Sequence, residues 1–227
     1  MHFATNHIGH FLFTCSLIPK LCKAAESNPA KGATRIINVS SLSPTVAHMR
    51  WSDINFDKKN KELPMEEQPN YDLQRIWGMK GELEELSYLP LEGYNQSKVA
   101  NVLFGIAANQ RLYRKFGILS LAVHPGVINT TELARNMGQD VLDAIQVMKE
   151  KGFYSFKTAG AGAATTVVAA LDPKLGVGET GNGTENYGTF LVDCQISDSA
   201  KPSSTSSKEA ERLWALSEEL VKEKFSW

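Results

Sequence analysis

The chain has 227 residues, a length that fits one large domain or one and a half small ones. Hydrophobic residues make up 42% and charged residues 22%, which allows a sizeable core and excludes a disordered or fibrous chain. The net charge of −1 gives no basic surface for nucleic acid or an anionic membrane, so we predict neither partner. No apolar stretch reaches the roughly 18 residues of a membrane span. Cys15, Cys22 and Cys194 form no close pair, which predicts a cytoplasmic location without disulfides or zinc.

The first half of the chain begins with helical material. Apolar residues spaced through 3–24 predict a helix almost from Met1, ended by Asn28-Pro29. The short apolar run 34–39 shows little alternation and predicts a central parallel strand. Residues 42–92 are polar and proline-marked, so we expect a long excursion with one short helix. Such a segment is either a functional lid or a disordered insertion.

The second half continues with alternating helices and strands. Its predicted elements are a helix over 93–115 ended by Gly117, a strand over 118–123, a loop with short helices over 127–156, a small-residue helix over 157–171, a strand over 188–194, a Ser-rich linker over 197–207 and a helix over 208–224. This order predicts a partial, doubly wound, Rossmann-like parallel sheet of about three strands. We expect one partial domain over 1–227, with 42–92 as an insertion and 197–227 as linker and terminal helix.

Tyr94 and Lys98 are the first candidates for chemistry, because a spacing of four puts them on one face of the predicted helix. A neighbouring ammonium favours the phenolate, so the pair predicts a Tyr of lowered pKa that acts as acid or base. The same spacing is common on solvated helices, and it leaves both interpretations open.

Two loops follow predicted strands at the edge where ligands gather in open α/β sheets. Ser40-Ser41 comes directly after the first strand, and a serine hydroxyl there can donate to a carbonyl oxygen. Pro125-Gly126 and Thr130 follow the second strand at the corresponding level. Each loop is either an ordinary turn or part of a ligand site.

Four motifs in this order resemble the short-chain dehydrogenase/reductase family over nearly the whole chain. They are Asn6-His7-Ile8-Gly9-His10-Phe11, Ile37-Asn38-Val39-Ser40-Ser41, Tyr94-x-x-x-Lys98 with Ser97 before the lysine, and His124-Pro125-Gly126-Val127-Ile128-Asn129-Thr130. The residues of these motifs are most similar to those of the branch that contains retinol dehydrogenases and WW-domain oxidoreductases.

The resemblance implies the roles of four catalytic residues. Tyr94 would be the proton donor or acceptor, and Lys98 would lower its pKa while holding the nicotinamide ribose. Ser41 would orient the substrate oxygen, and Asn6 would support a water-linked proton relay to Lys98. The implied reaction interconverts an alcohol and a carbonyl by hydride transfer.

The resemblance also implies a cofactor and partners. The Ile128 backbone and the Thr130 hydroxyl would contact the nicotinamide carboxamide of NADP, with NAD as the other choice. The substrate would be a small lipophilic alcohol or carbonyl. A homodimer would form through the helices at 3–24 and 93–115.

The family's phosphate-binding glycine loop, which follows its first strand, has no counterpart in these 227 residues. Residues 176–181 spell G-x-G-x-x-G, but a predicted helix precedes them and a strand follows, the reverse of what pyrophosphate binding requires. We expect this segment, with Gly181-Asn182-Gly183, to be a turn into the last strand. The chain would then begin at the helix after the family's fourth strand, and one of the alternatives is that Met1 is an internal methionine of a longer protein.

Two consequences follow for function. The strand at 34–39 would present an unprotected edge, which predicts poor solubility or dependence on a partner. The alternative to an active oxidoreductase is therefore an inactive truncated fragment or pseudoenzyme that pairs with a full-length homologue.

Overall fold

The structure is a computed structural model that describes residues 1–128, 138–178 and 184–227. Its helices and strands are, in chain order, α1 (Gly9–Ser27, entered through a π-helical turn at Ala4–Ile8), β1 (Arg35–Val39), α2 (Ser43–Val46), α3 (Tyr71–Ile76), α4 (Pro90–Phe116), β2 (Leu119–His124), β3 (Val127–Ile128), α5 (Gln139–Glu150), β4 (Phe156–Lys157), α6 (Ala159–Leu171), β5 (Phe190–Val192), β6 (Gln195–Ile196), α7 (Pro202–Thr205) and α8 (Ser207–Val221). Short 3₁₀ turns lie at Asn60–Glu62, Met65–Glu67 and Leu83–Glu85.

The main sheet has the order β1-β2-β5-β6, and its first three strands are parallel. Ile118 and Ala122 pack in the same core as α4, while Leu121 packs with Ala169 of α6 and Leu191. The strands therefore have helices on both faces, which explains their continuous apolar composition. This arrangement confirms the predicted α/β class with a Rossmann-like parallel sheet.

The position of β1 differs from the prediction of a central strand. Among the described strands, β1 pairs only with β2, with Arg35 opposite Leu119 and Val39 opposite Val123. Its side chains are covered by α4 and α6 rather than flanked by strands on both sides. Val39, at the carboxyl end, keeps 47% of its surface exposed. Burial between two helical layers made an edge strand look central in the sequence.

The predicted strand over 188–194 is shorter than expected and is followed by a hairpin. Asp193 and Cys194 have φ of 50° and 64°, so the chain reverses after β5 and pairs β6 antiparallel to it. Two consecutive positive φ values are those of the tight hairpin turns that match strand twist. Cys194 therefore lies in a turn and not in the strand.

The segment 42–92 is organised around the buried Arg50 guanidinium. It donates to the Asp53 carboxylate at 2.5 Å, to Asn60 Oδ1 at 2.7 Å and to the Lys58 carbonyl at 2.7 Å. Gln96 of α4 accepts from the Arg50 backbone N–H at 3.1 Å. A buried charge is tolerated where it is paired and fully hydrogen-bonded, and here those bonds shape the insertion. The segment contains two short α-helices and three 3₁₀ turns, more than the one helix expected.

The C-terminal residues pack on the fold. The Ser-rich stretch predicted as a linker contains α7, whose buried Ser204 donates to the Ala47 carbonyl at 3.0 Å. In α8, Trp214 stacks on Phe104 of α4 and meets Phe11 of α1 edge-on. This helix therefore covers part of α1 and α4, the pair that the sequence suggested for a homodimer. None of the helices in the described residues has the length and apolar character to cross a bilayer.

Candidate active site

The loop after β1 fixes the two serines in different roles. Ser40 donates its backbone N–H to the Val123 carbonyl at 2.8 Å and its hydroxyl to the Lys98 carbonyl at 2.8 Å. Both bonds anchor Ser40 to its neighbours and leave the next residue, Ser41, against α4. Ser41 donates to Ser43 Oγ at 2.7 Å, and it lies close enough to the Tyr94 phenol to act on its pKa. The structure thus brings together Ser41 and Tyr94, as the sequence predicts.

Tyr94 and Lys98 lie in the second and third turns of α4, near the carboxyl end of β1. The Lys98 Nζ atom is 5.7 Å from the centroid of the Tyr94 ring and donates to the Val39 carbonyl at 3.0 Å. Asn101 Nδ2 donates to the same carbonyl at 3.0 Å. The last carbonyl of β1 therefore fixes the direction of the Lys98 side chain.

The pKa of Tyr94 is shifted in the direction opposite to the sequence prediction. Burial raises the pKa of the phenol, and the neighbouring Ser41 hydroxyl offsets only part of that rise. Burial also lowers the pKa of Lys98, which weakens its ammonium as a source of stabilisation for phenolate. Desolvation disfavours the charged form of both groups. In this arrangement Tyr94 holds its proton at neutral pH.

Asn6 lies within the π-helical turn before α1 and reaches the same helix as Tyr94. Its Nδ2 donates to the Ser97 hydroxyl at 3.0 Å, and Ser97 in turn donates to the Tyr94 carbonyl at 2.7 Å. The described side-chain bond of Asn6 is thus to Ser97 and not to Lys98. The structure brings Asn6 to the backbone of the Tyr94 turn.

Ile128 lies in β3, which follows a turn at Gly126 with φ of 88°. A Cβ atom at Gly162 of α6 would overlap the Ile128 side chain, so the small residues of α6 permit this close approach. The strand pairs with β4, with Ile128 opposite Lys157. Thr130, the other predicted cofactor contact, lies outside the described residues.

Ser43 and Asn95 are site residues that the sequence analysis missed. Ser41 donates to Ser43 Oγ at 2.7 Å, and Ser43 donates to Asn95 Oδ1 at 2.8 Å. Ser43 and Asn95 keep only 5% and 3% of their surface exposed. The signal in the sequence was a polar residue beside each predicted catalytic one, Ser43 two residues after Ser41 and Asn95 directly after Tyr94.

Similarity to known proteins extends over almost the whole chain. It is 32% identical over 220 residues to the short-chain dehydrogenase TIC 32 A, chloroplastic, of Brassica napus, covering 96% of this chain and 56% of that protein. It is 30% identical over 223 residues to mouse retinol dehydrogenase 12, covering 97% and 54%. It is 32% identical over 223 residues to the human WW domain-containing oxidoreductase, covering 98% and 44%.

The chain belongs to the short-chain dehydrogenase/reductase family. It spans about half the length of the curated relatives it matches. No family model matches this short-chain dehydrogenase/reductase chain. The crystal structure of an uncharacterized protein from Mycobacterium paratuberculosis superposes with a TM-score of 0.55 at 23% identity, covering 99% of this chain and 60% of that one. That likeness concerns the fold.

The glycine pattern at 176–181 in this short-chain dehydrogenase/reductase chain follows α6 and precedes β5, as predicted. A Cβ atom at Gly178 would meet the Tyr187 carbonyl at 3.1 Å, and Gly188, with φ of 96°, lies against the Gly176 carbonyl. These glycines permit close approach between two backbone segments. Gly181, Asn182 and Gly183 lie outside the described residues, so the turn predicted there stays a prediction.

A cavity of about 700 Å³ lies beside the Tyr94 turn of α4. His2, which lines it, sits edge-on to the Tyr94 ring at 6.1 Å between centroids and is hydrogen-bonded to the Tyr88 hydroxyl at 3.1 Å. The rest of the lining is mostly apolar and comes from the N-terminal residues, the 42–92 segment, α4 and α8: Met1, Phe3, Ala4, Ile8, Ile54, Asn55, Phe56, Gly93 and Leu220.

Proposed function

We propose that this chain carries the catalytic residues of an oxidoreductase that interconverts an alcohol and a carbonyl with a nicotinamide cofactor. The observation that carries the proposal is the position of Lys98, whose Nζ atom lies 5.7 Å from the Tyr94 ring, next to the loop that carries Ser40 and Ser41 at the end of β1. A phenol that holds its proton at neutral pH is suited to deliver it to a carbonyl oxygen. Relatives named dehydrogenases and oxidoreductases support this class of reaction.

Each side chain then has a task in carbonyl reduction. Tyr94 gives its proton to the substrate oxygen, and Ser41 holds that oxygen in place. The bond from Asn6 to Ser97 fixes the helical turn that carries Tyr94. In alcohol oxidation the same groups act in reverse, with Tyr94 taking the proton.

The residues beside Tyr94 fit the nicotinamide end of a cofactor. The Lys98 ammonium suits the ribose hydroxyls, and Ile128 and Thr130 follow β2, the strand next to β1. When bound, the cofactor supplies or accepts the hydride at the substrate carbon. We propose NADP, with NAD as the other choice, from the resemblance to retinol dehydrogenases.

The three free thiols, of Cys15, Cys22 and Cys194, support a cytoplasmic location.

The cavity beside His2 supports a lipophilic substrate. Its lining is mostly apolar, with Ile54 and Phe56 contributed by the 42–92 segment. Binding sites for small molecules are usually apolar cavities with a few placed polar groups. We propose that this segment is the lid over the substrate, the first of the two alternatives that its length suggested.

The test uses the 227-residue chain with NADPH, and with NADH in parallel. Binding is followed by cofactor fluorescence and thermal shift, and turnover by cofactor oxidation with a panel of apolar aldehydes and ketones. We expect Tyr94→Phe to lower kcat by about 10²- to 10⁴-fold, because it removes the proton donor. Tyr113→Phe, on the same helix, should leave kcat unchanged. Absence of binding at millimolar cofactor would contradict the proposed activity for this chain.

A second candidate is a non-catalytic chain that pairs with a full-length homologue. The open side of β1 favours it, since no described strand pairs there and an unpaired edge is a template for another chain. Co-expression of this chain with a full-length relative, followed by affinity capture, distinguishes the two. Absence of a heterodimer would remove this candidate, and NADPH-dependent turnover by the chain alone would favour the first.

A further inference from the structure

The cavity beside the Tyr94 turn has a polar pair in its mostly apolar lining. Tyr88 and His2 both line it, and the Tyr88 hydroxyl lies 3.1 Å from His2 Nδ1. Among the other lining residues that the structure describes, Asn55 is the one with a polar side chain. A few placed polar groups fix the orientation of a small ligand in an apolar cavity. The pair is therefore a candidate for recognition of a polar group on a ligand.

Gly93 fixes the place of the Tyr88 ring. A Cβ atom at Gly93 would lie 2.7 Å from Tyr88 Cε2 and 2.8 Å from its hydroxyl oxygen, so the ring occupies the space that a side chain would take. Phe56 meets the same ring edge-on at 5.3 Å between centroids, and the Arg50 guanidinium lies 4.5 Å from the Phe56 ring. Tyr88 is thus held between α4 and the 42–92 segment.

His2 links this pair to the candidate active site. Its ring is edge-on to the Tyr94 ring, with 6.1 Å between centroids. Burial lowers the pKa of His2, and the positive charges of the N-terminal amine and of Lys98 act in the same direction, so the ring is neutral at neutral pH. A neutral imidazole has one N–H and one bare nitrogen.

The pair offers a donor and an acceptor whichever tautomer His2 adopts. If the Tyr88 hydroxyl donates to Nδ1, His2 keeps its Nε2–H as a donor and the Tyr88 oxygen keeps its lone pairs. If Nδ1–H donates to the Tyr88 oxygen, the Tyr88 hydroxyl proton and the bare Nε2 atom remain. Within the part of the chain that the structure describes, neither side chain makes a further hydrogen bond. Both combinations suit a hydroxyl or carbonyl oxygen of a ligand.

We propose that Tyr88 and His2 are specificity-determining residues that bind a second oxygen of a lipophilic substrate, apart from the carbonyl that Tyr94 protonates. This inference rests on the proposed function. It narrows the substrate class to apolar aldehydes and ketones that carry a hydroxyl or a further carbonyl group, and to the corresponding alcohols. The apolar part between the two oxygens then packs against Ile54 and Phe56, which line the same cavity.

The affinity for matched ligands tests this inference without cofactor or turnover. Straight-chain methyl ketones of increasing length are each compared with the same ketone bearing a hydroxyl at its far end. Binding to the 227-residue chain is measured by titration calorimetry. At the length that reaches the pair, we expect the hydroxylated ketone to bind about two- to tenfold more tightly, the advantage that one hydrogen bond usually gives.

Variants of the pair should remove this preference. Tyr88→Phe keeps the ring against Gly93 and removes the hydroxyl, so the preference should fall. With His2→Phe added, it should disappear while the affinity for the plain ketone stays the same. Gly93→Ala should also reduce the preference, because the added methyl group displaces the Tyr88 ring, although alanine is the better helix former. Tyr113→Phe and Gly105→Ala, in the same helix, are the matched controls, since a Cβ atom at Gly105 would meet other atoms only at 3.5 Å or more.

Equal affinities within every pair of ketones, absence of binding, or a preference that survives the double variant would overturn the inference. A preserved preference in a chain that binds no NADPH would contradict the proposed activity instead, and would leave the site at His2 and Tyr88 standing. The two proposals therefore fail in distinguishable ways.

Discussion

The two halves of α4 bury side chains of different kinds, mainly polar ones near its start and mainly apolar ones further along. Near its start, Asn95, Gln96 and Ser97 are at most 3% exposed although all three are polar. Residues 102–108 are equally buried and consist only of apolar residues and one glycine. One helix therefore serves as both the wall of the candidate site and the centre of the core.

Buried polar side chains fix the positions of their partners, whereas buried apolar side chains contribute mainly to stability. A buried amide or hydroxyl is stable only with partners at defined distances, so the first half of α4 dictates the positions of the 42–92 segment and of Ser41. Burial of apolar surface has no preferred direction, so residues 102–108 stabilise the fold without fixing any single contact, whereas the buried Asn109 beyond them is hydrogen-bonded to Ser120 of β2. We expect changes in the two halves to have separable effects.

Removal of the main aromatic partner of the apolar half should have the largest effect on stability. Trp214 stacks on Phe104 of α4 and receives the Arg111 guanidinium 4.1 Å from its ring. Trp214→Ala should lower the free energy of unfolding by about 3–5 kcal/mol, measured by urea denaturation. Trp214→Phe should lower the free energy of unfolding clearly less than Trp214→Ala does. Faster hydrogen exchange in residues 50–60 of either variant would contradict the separation of the two halves.

A change in the polar half should loosen the 42–92 segment selectively. Gln96 accepts from the Arg50 N–H at 3.1 Å and donates to the Ile54 carbonyl at 3.2 Å. Gln96→Ala would leave both backbone groups without this partner, at about 1–3 kcal/mol. Hydrogen exchange should rise in residues 50–60 and stay unchanged in β2. Gln110→Ala, an exposed change on the same helix, is the matched control. If it raised exchange in residues 50–60 as much as Gln96→Ala, the effect would not come from the Gln96 hydrogen bonds.

His7 is a buried polar residue that packs against the apolar half of α4. Its titration should have the smallest effect on stability among these changes. It is 1% exposed and hydrogen-bonded to the Ser217 hydroxyl at 2.8 Å, and burial lowers its pKa to about 3. The unfolded chain takes up this proton near pH 6.5 and the folded chain does not. Stability from the neutral ring is thus complete above pH 6.5 and falls as the pH drops from 6.5 towards 3.

The measurement is the free energy of unfolding between pH 6.5 and 5. His7 should contribute a loss of about 1.4 kcal/mol per pH unit well below pH 6.5, and His7→Asn should remove that part of the slope. An identical slope in wild type and His7→Asn would contradict the buried neutral state.

The sequence by itself determined the elements that have a strong local pattern. The buried spacing of Val99, Val102, Leu103 and Ile106 gave α4, and all four are fully buried. Gly117 ends that helix with φ of 71°, a conformation that glycine adopts without strain. The motifs around Ser41 and Tyr94 predicted two residues that lie close together, because Ser41 follows β1 and the Lys98 turn of α4 is bonded to the end of that strand and to Ser40.

Only the tertiary structure decided the features that depend on contacts between distant segments. The pKa of Tyr94 is raised where the Tyr94–Lys98 spacing predicted lowering, because spacing carries no information on burial or on the Val39 carbonyl that holds Lys98. The edge position of β1 was likewise not evident from the sequence. Apolar composition reports that helices cover the two faces of a strand, and it does not report how many strands pair with its edges. The hydrogen bonds from Ser41 to Ser43 and from Ser43 to Asn95 join the loop after β1 to α4, and no local pattern specifies them.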